Sequence, residues 1–426
     1  MTYESSSPVR TVLVGLNSPG YQSLALGYLR AFAQADNRLA GRVAFQTLDL
    51  TVDIDPWWVA YRVLELEPDV IGLSATCWNA RSVFEVCRIV KQARPQTLVV
   101  LGGPEVGPIA GAVLESHGEV DVVVRGEGEA TFAELMYAVT RGRRIERVEG
   151  VSMRTADGSV VSAEDRPLIA NLDSIPSPYL TGVMTAVNGG AYIETYRGCP
   201  HQCGYCFEGK GYGRIRRFSD ARVAEEIDVL ANTSGVHSFS FIDPVFNLTL
   251  ERLEWLAARL APHAARGLRL HTVEVDIERI DDVQADLLAA AGVVSVETGP
   301  QSIGADALAT CRRAFNAERF VRGVEALKRA RIRVECDLIV GLPGDTVEDF
   351  FAGIEFCLDL DPGMVQTSTL HVLPGTDLYD RADELGLRFD PEPPHEIVST
   401  STISYNDLRR AEVRAVFLQR QYRARL

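Results

Sequence analysis

Two α/β units in tandem are what this 426-residue chain predicts: a doubly wound, Rossmann-like sheet, then a partial TIM-like barrel and a C-terminal helical tail. Three observations carry that expectation. Short apolar runs alternate with segments of helical spacing from residue 10 to about 142. Proline-punctuated loops interrupt the alternation at 143–190. It then resumes at 191 for about six strand–helix repeats, which suits a partial barrel better than a second open sheet.

Each element has its own reason. "TVLVGL" reads as a buried parallel strand and "NSPGYQSLALGYLRAFAQA" as a loop entering a helix. "VAFQTLDL", "DVIGLSATCWN", "TLVVLGGPEV" and "VDVVVRGEGE" repeat the strand-and-loop pattern, with "PWWVAYRVLELEP", "ARSVFEVCRIVKQARP", "AGAVLESHGE" and "ATFAELMYAVTRG" as intervening helices. Asp157-Gly158 marks a hairpin inside the 143–190 linker. Barrel strands are expected at "AYIETYRG", "VHSFSFIDPVF", "RLHTVEVDIERI", "VVSVETGPQSIG", "RVECDLIVGLPG" and "MVQTSTLHVLPG". From Tyr405 onward a basic amphipathic helix is expected to cover domain surface. The expected limits are 1–142, 143–190, 191–380 and 381–426.

Composition excludes several classes. Forty-six per cent of residues are hydrophobic and 24% charged, as in ordinary globular domains. No apolar run reaches the roughly 20 residues that cross a bilayer, and "MTYESSSPVR" has neither a basic start nor a long apolar stretch, so a cytoplasmic protein without membrane contact is expected. Lys and Arg total 43 against 58 Asp and Glu, a net charge of −15 without a long basic stripe, which disfavours nucleic-acid binding. Cys77, Cys87, Cys311, Cys336 and Cys357 stand alone in apolar contexts and read as small buried hydrophobes.

The other three thiols do not stand alone. "YRGCPHQCGYCF" places Cys199, Cys203 and Cys206 in a Cys-x3-Cys-x2-Cys loop with no fourth cysteine nearby. Structural zinc takes four protein ligands, whereas a [4Fe–4S] cluster held by three thiolates keeps one iron open for a ligand. Zinc completed by a distant histidine and chance spacing are the competing readings.

In these residues the sequence resembles the radical S-adenosylmethionine superfamily, in the group with an N-terminal cobalamin-binding-like domain. The resemblance implies that Cys199, Cys203 and Cys206 hold the cluster and that its open iron binds S-adenosylmethionine, whose reductive cleavage yields a hydrogen-abstracting 5′-deoxyadenosyl radical. It implies that Tyr205 packs by the adenine and that Asp243, with Asn247, lines the cavity from the second barrel strand. Glu274 and Asp276 follow from a fourth strand, Glu297, Gln301 and Ser302 from a fifth, and "LIVGLPGDTVEDF" forms the sixth with its turn. A flavodoxin- or ferredoxin-type electron donor and a small-molecule substrate are implied partners.

Residues 10–142 resemble the cobalamin-binding domain in "NSPG", "LSATCWN", "GGPEV" and "RGEGEATF", which gives Ser74, Gly102, Gly103 and Glu127 as candidate cofactor contacts. No Asp-x-His-x-x-Gly supplies a cobalt ligand, and the only histidine before residue 150 is His117. Trp78 or Tyr21 is then a candidate to cover one corrin face, and whether cobalamin is bound stays open.

Two reactions compete. A radical dehydration of an amino-sugar-like substrate needs a base and an acid, for which Tyr192, His271, Glu274 and Asp276 are candidates. The sequence is expected to favour it, because the chain carries little beyond the two shared modules. A cobalamin-dependent C-methyltransferase in natural-product biosynthesis is the alternative, and a non-catalytic metal-binding module the remote one.

Overall fold

The computed structural model describes residues 7–208 and 214–423. The chain forms two compact units, Met1–Asn188 and Gly189–Leu426.

The first unit is built on a seven-stranded sheet. Strands β1 (Val9–Asn17), β2 (Val43–Thr51), β3 (Val70–Ser74), β4 (Leu98–Gly102) and β5 (Val122–Val124) run parallel in the order β2-β1-β3-β4-β5. β1 is buried from Thr11 to Leu16 because both of its faces are covered. Val12, Val14 and Leu16 join a core with Val59, Val63, Val83 and Val90, from α2 (Pro56–Leu64) and α3 (Ala80–Ala93). Leu13 faces the other way, into a core with Leu26, Phe132 and Met136 from α1 (Leu24–Ala35) and α5 (Gly128–Thr140). A fourth helix, α4 (Ala110–Ser116), lies between β4 and β5 in the chain.

The expected hairpin is present, and it belongs to this sheet rather than to a free linker. Strand β6 (Val151–Arg154) pairs antiparallel with β5, and β7 (Val160–Ser162) pairs antiparallel with β6. Gly158 sits at φ +87°, and the Asp157 carboxylate accepts from Ser159 N (3.2 Å) and Ser159 Oγ (2.8 Å), which closes the turn.

The second unit holds six parallel strands in sequential order: β8 (Gly190–Ile193), β11 (Ser238–Phe241), β12 (Arg269–Glu274), β13 (Val293–Gln301), β14 (Arg333–Val340) and β15 (Met364–Thr369). Among the described residues β8 and β15 do not pair with each other, so this is an open, partial barrel. "VEVDIERI" therefore begins in the third strand and "VETGPQS" lies in the fourth, each one earlier than expected, and "LIVGLPG" ends the fifth. The intervening helices α6 (Asp220–Ala231), α7 (Leu250–Ala264), α8 (Asp282–Ala290), α10 (Ala317–Arg329) and α11 (Val347–Asp359) each start at a side-chain cap: Ser219, Thr249, Asp281, Asn316 and Thr346. Each cap is worth about 1 kcal/mol. The short α9 (Ala305–Thr310) and α12 (Asp377–Asp380) lie in the connections.

The expected tail is α13 (Tyr405–Arg423). It buries Leu408, Ala411 and Ala415 and hydrogen-bonds to edge strand β15 through Gln419 Nε2 to Thr367 Oγ1 (2.8 Å). An edge strand covered in this way is shielded from pairing with another chain. Among the described residues no helix is long and apolar enough to cross a membrane.

Candidate functional site

The thiol loop follows strand β9 (Tyr196–Arg197), which pairs antiparallel with β10 (Arg216–Arg217) and pins the two stems of the loop together. Gly198 between β9 and Cys199 adopts φ +96°, and a side chain there would press to 3.1 Å from the Arg214 carbonyl. Farther along, Gly204 N donates to Cys311 O (2.8 Å), and Leu378 N donates to Gly204 O (3.0 Å). The loop is thus tied by backbone bonds to the segment after α9 and to α12.

Cys199, Cys203 and Cys206 line one wall of a cavity of about 520 Å³, together with Tyr205 and Glu208. The lining also includes Glu274 at the end of β12, Asp276 just after it, Glu297 and Gln301 on β13, and Asp337 on β14. The Arg313 guanidinium reaches the thiols: Nη1 lies 3.4 Å from Cys203 Sγ and 3.2 Å from Tyr205 Oη. Nε donates to Pro300 O (3.2 Å) and Nη2 to Gly299 O, so backbone carbonyls aim this cation.

The donor set fits an iron–sulfur cluster. Burial pushes the Cys199 thiol up to about 11, and Cys206 and Cys203 beside it add to the rise. Bringing that thiol to the anionic form with two more cysteines beside it calls for a strong positive charge, as a metal centre provides. Among the described residues no group of three or more His, Cys, Asp or Glu is arranged around a single ion. Thiolates on one zinc would stand within about 4 Å of one another, whereas the corners of a four-iron cube are more widely spread.

A row of carboxyls crosses the cavity floor. Glu274 and Glu297 are direct partners in the β12–β13 register, and Asp337 follows on β14. Burial raises Glu274 to about 7, with Glu297 and Glu208 adding to it. Asp337 rises to about 9 through burial and its proximity to Glu297. Glu297 is itself raised by burial and by Glu335. The folded chain therefore holds protons here that the unfolded chain releases, so stability present at low pH is lost as pH climbs through 7 and 9. A bound cation reverses the effect by favouring the ionised forms. Thermal unfolding midpoints of ligand-free protein should fall from about pH 6 to about pH 9, and Asp337→Asn should flatten the upper part of that fall. An equally steep fall in the variant would remove Asp337 as its cause.

Several expected site residues lie elsewhere. Tyr192 is half-buried on β8 and does not line this cavity. His271 is exposed on β12, three residues from Glu274 and so on the opposite strand face. Asp243 is buried at the tip of β11, accepts from Thr195 N (2.7 Å) and Thr195 Oγ1, and is raised to about 6 by burial. It joins two strand tips instead of facing the cavity. Asn247 likewise grips Asp276, donating to its carbonyl (3.0 Å) and accepting from its amide (2.9 Å). Ser302 is buried, donates to Asp345 Oδ1 (3.0 Å) and caps the turn at Gly304.

Gln301 lines the cavity at φ +65°, an uncommon conformation for a side-chain-bearing residue, next to a register shift between Thr298 and Gln301. Arg313 and Asp337 were not anticipated. For Asp337 the signal existed: Arg333, Glu335 and Asp337 mark one polar face of β14 at period two.

In the first unit, Ser74, Gly102 and Gly103 lie at the carboxyl edge of the sheet, where ligands of such sheets bind. Gly103, at φ +106°, is demanded locally, since a side chain there would lie 2.4 Å from Ala75 O. Asn79 knits this edge, donating to Leu16 O (3.0 Å) and Ser74 O (3.1 Å) and accepting from Thr76 N (2.8 Å). Tyr21 and Trp78, both 62% exposed, are on loops leaving the same edge. Two exposed aromatic side chains and a stretch of backbone bare of side chain at Gly103 suit a large planar group. Glu127 instead turns inward, its carboxylate accepting from Ile169 N (2.7 Å). Cys77 is half-buried on the β3–α3 loop rather than in the core. His117 follows α4, on the opposite side of the sheet, stacked on Phe84 (3.8 Å between ring centroids). Among the described residues of the first unit, no imidazole lies at the carboxyl edge.

Comparison with known proteins bears on both units. Residues 193–357 match the Radical SAM superfamily, and residues 22–136 match the B12 binding domain. The chain is 31% identical over 418 residues to the cobalamin-dependent radical SAM methyltransferase TokK of Streptomyces tokunonensis, covering 92% of this chain but only 60% of that protein. It is 29% identical over 331 residues to the uncharacterized methyltransferase PH0819 of Pyrococcus horikoshii, covering 76% of this chain and 71% of the other. Among solved structures, the radical S-adenosylmethionine methyltransferase TsrM from Kitasatospora setae shares the fold, with a TM-score of 0.73 at 22% identity over 91% of this chain and 79% of that one.

Proposed function

We propose, for a chain that belongs to the radical S-adenosylmethionine superfamily and carries a B12-binding domain ahead of its barrel, the activity of a cobalamin-dependent C-methyltransferase acting on a small polar substrate. One observation carries this reading: similarity to a methyltransferase of that kind runs through 92% of the chain, across both units, rather than through the barrel alone. It reverses the order of preference drawn from the sequence, where dehydration stood first. The carboxyl edge of the first unit, with Tyr21 and Trp78 exposed and the backbone at Gly103 free of side chain, supports a corrin ring resting there without a histidine ligand.

When bound, the cluster and S-adenosylmethionine supply one-electron cleavage and hydrogen abstraction, and cobalamin supplies the methyl group. The chain's own residues divide the holding. Cys199, Cys203 and Cys206 bind the cluster, and Arg313 places a fixed cation beside Cys203 that also suits a carboxylate. Glu274, Glu297 and Asp337 offer negative charge to a sulfonium and an ammonium, and those cations in turn draw the carboxyls into their ionised form. Tyr205, held protonated by burial, presents its ring to the cavity.

Protein prepared without oxygen from cells supplied with cobalamin is expected to retain corrinoid and to yield both 5′-deoxyadenosine and S-adenosylhomocysteine, with product heavier by one methylene. Protein free of corrinoid, giving product lighter by one water, would overturn methylation and restore dehydration.

A further inference from the structure

The cavity lining is not acidic throughout. On what we call its open side stand the solvent-exposed Arg279 and Arg319, with Phe315 and Phe320 also in the lining. Those rings stand 5.7 Å apart by centroid, and Phe356 backs Phe315 at 5.7 Å, so the wall is firm. Arg279 is steadied by Nη1 donating to Leu248 O (2.7 Å) and stays half-exposed. The first turn of α10 sets Arg319, whose amide donates to the Asn316 cap (2.9 Å). Its guanidinium has no hydrogen-bond or ion-pair partner among the described residues.

Carboxylates on this side are already engaged. Asp276 lies 3.5 Å from His201 Nε2 and 3.8 Å from Arg279 Nε, and Glu278 accepts from Asn316 N (2.8 Å). The guanidinium fork of Arg319, which matches carboxylate and phosphate oxygens in pairs, is the group left to act on a ligand.

We infer that the open side of the cavity binds an anionic group of the substrate, a carboxylate or a phosphate, with Arg319 as the principal donor, Arg279 as the second, and the Phe315–Phe320 wall against the apolar part beside it. The inference rests on the proposed function only in treating this cavity as the substrate site. It narrows the substrate class to an oxyanion attached to an apolar segment.

Phenylacetate and phenyl phosphate, with neutral phenylacetamide as control, test it by ligand-observed NMR titration of the full chain with its cluster reconstituted. Both anions are expected to bind roughly tenfold more tightly than the amide. Arg319→Gln should remove that preference, Arg319→Lys should keep part of it, and the affinity for S-adenosylmethionine should change less than about twofold. Equal binding of anion and amide, or no binding of any probe, overturns the inference. So does Arg319→Gln weakening S-adenosylmethionine while the anion preference stays, for then the guanidinium serves the cosubstrate's carboxylate. The titration needs neither corrinoid nor turnover, so its failure is separate from a failure of methylation.

Discussion

Cys203→Ala is expected to abolish 5′-deoxyadenosine formation, by at least about three orders of magnitude, because the remaining two thiols cannot hold the one-electron centre in place. Cys203 is the deepest of the three, 8% exposed, and the one that Arg313 touches. Its loss removes a cluster ligand and leaves a buried guanidinium N–H without its sulfur acceptor. Iron and acid-labile sulfide should drop to a small fraction of wild type, while far-ultraviolet circular dichroism stays unchanged because the loop is held by backbone bonds at Gly204 and by the β9–β10 ladder. Wild-type levels of 5′-deoxyadenosine from the variant would refute the assignment of this thiol.

Gly299→Ala is expected to be the most disruptive single methyl in the barrel. A Cβ at this position would lie 2.1 Å from Asp337 O and 2.7 Å from Asp337 N and C. All three are backbone atoms of the neighbouring strand, so rotamer changes cannot relieve the clash. Gly299 also presents the carbonyl that receives Arg313 Nη2, so parting the two strands moves the cation away from Cys203. A loss of about 3 kcal/mol or more is expected, read from the urea midpoint of cofactor-free protein, with weaker cluster retention in what still folds. An unchanged midpoint would mean that β13 and β14 stand farther apart here.

The architecture was legible where burial leaves a mark on residue type. β1 reads as an apolar run because Leu13 enters one core while Val12 and Val14 enter another. The thiols were legible from spacing alone. Strand count was harder: period-two alternation identifies "VEVDIERI" as strand-like without saying how many strands precede it. His271 could have been set aside from the sequence, since three residues from Glu274 on a strand means the opposite face. Asp243 could not, because its partner Thr195 is 48 positions away. Arg313 meets Cys203 across 110 positions, from a turn where no periodicity announces a direction. Contacts made by the fold itself are what a linear pattern leaves out.

The two-residue ladder of β9 and β10 has a consequence for how the holoprotein matures. The ladder and the Gly204 bonds are made by backbone groups alone, so they hold the thiol loop independently of the thiol side chains. Demetallation by a chelator should therefore be reversible, with the refilled protein recovering its visible absorbance without a cycle of denaturation.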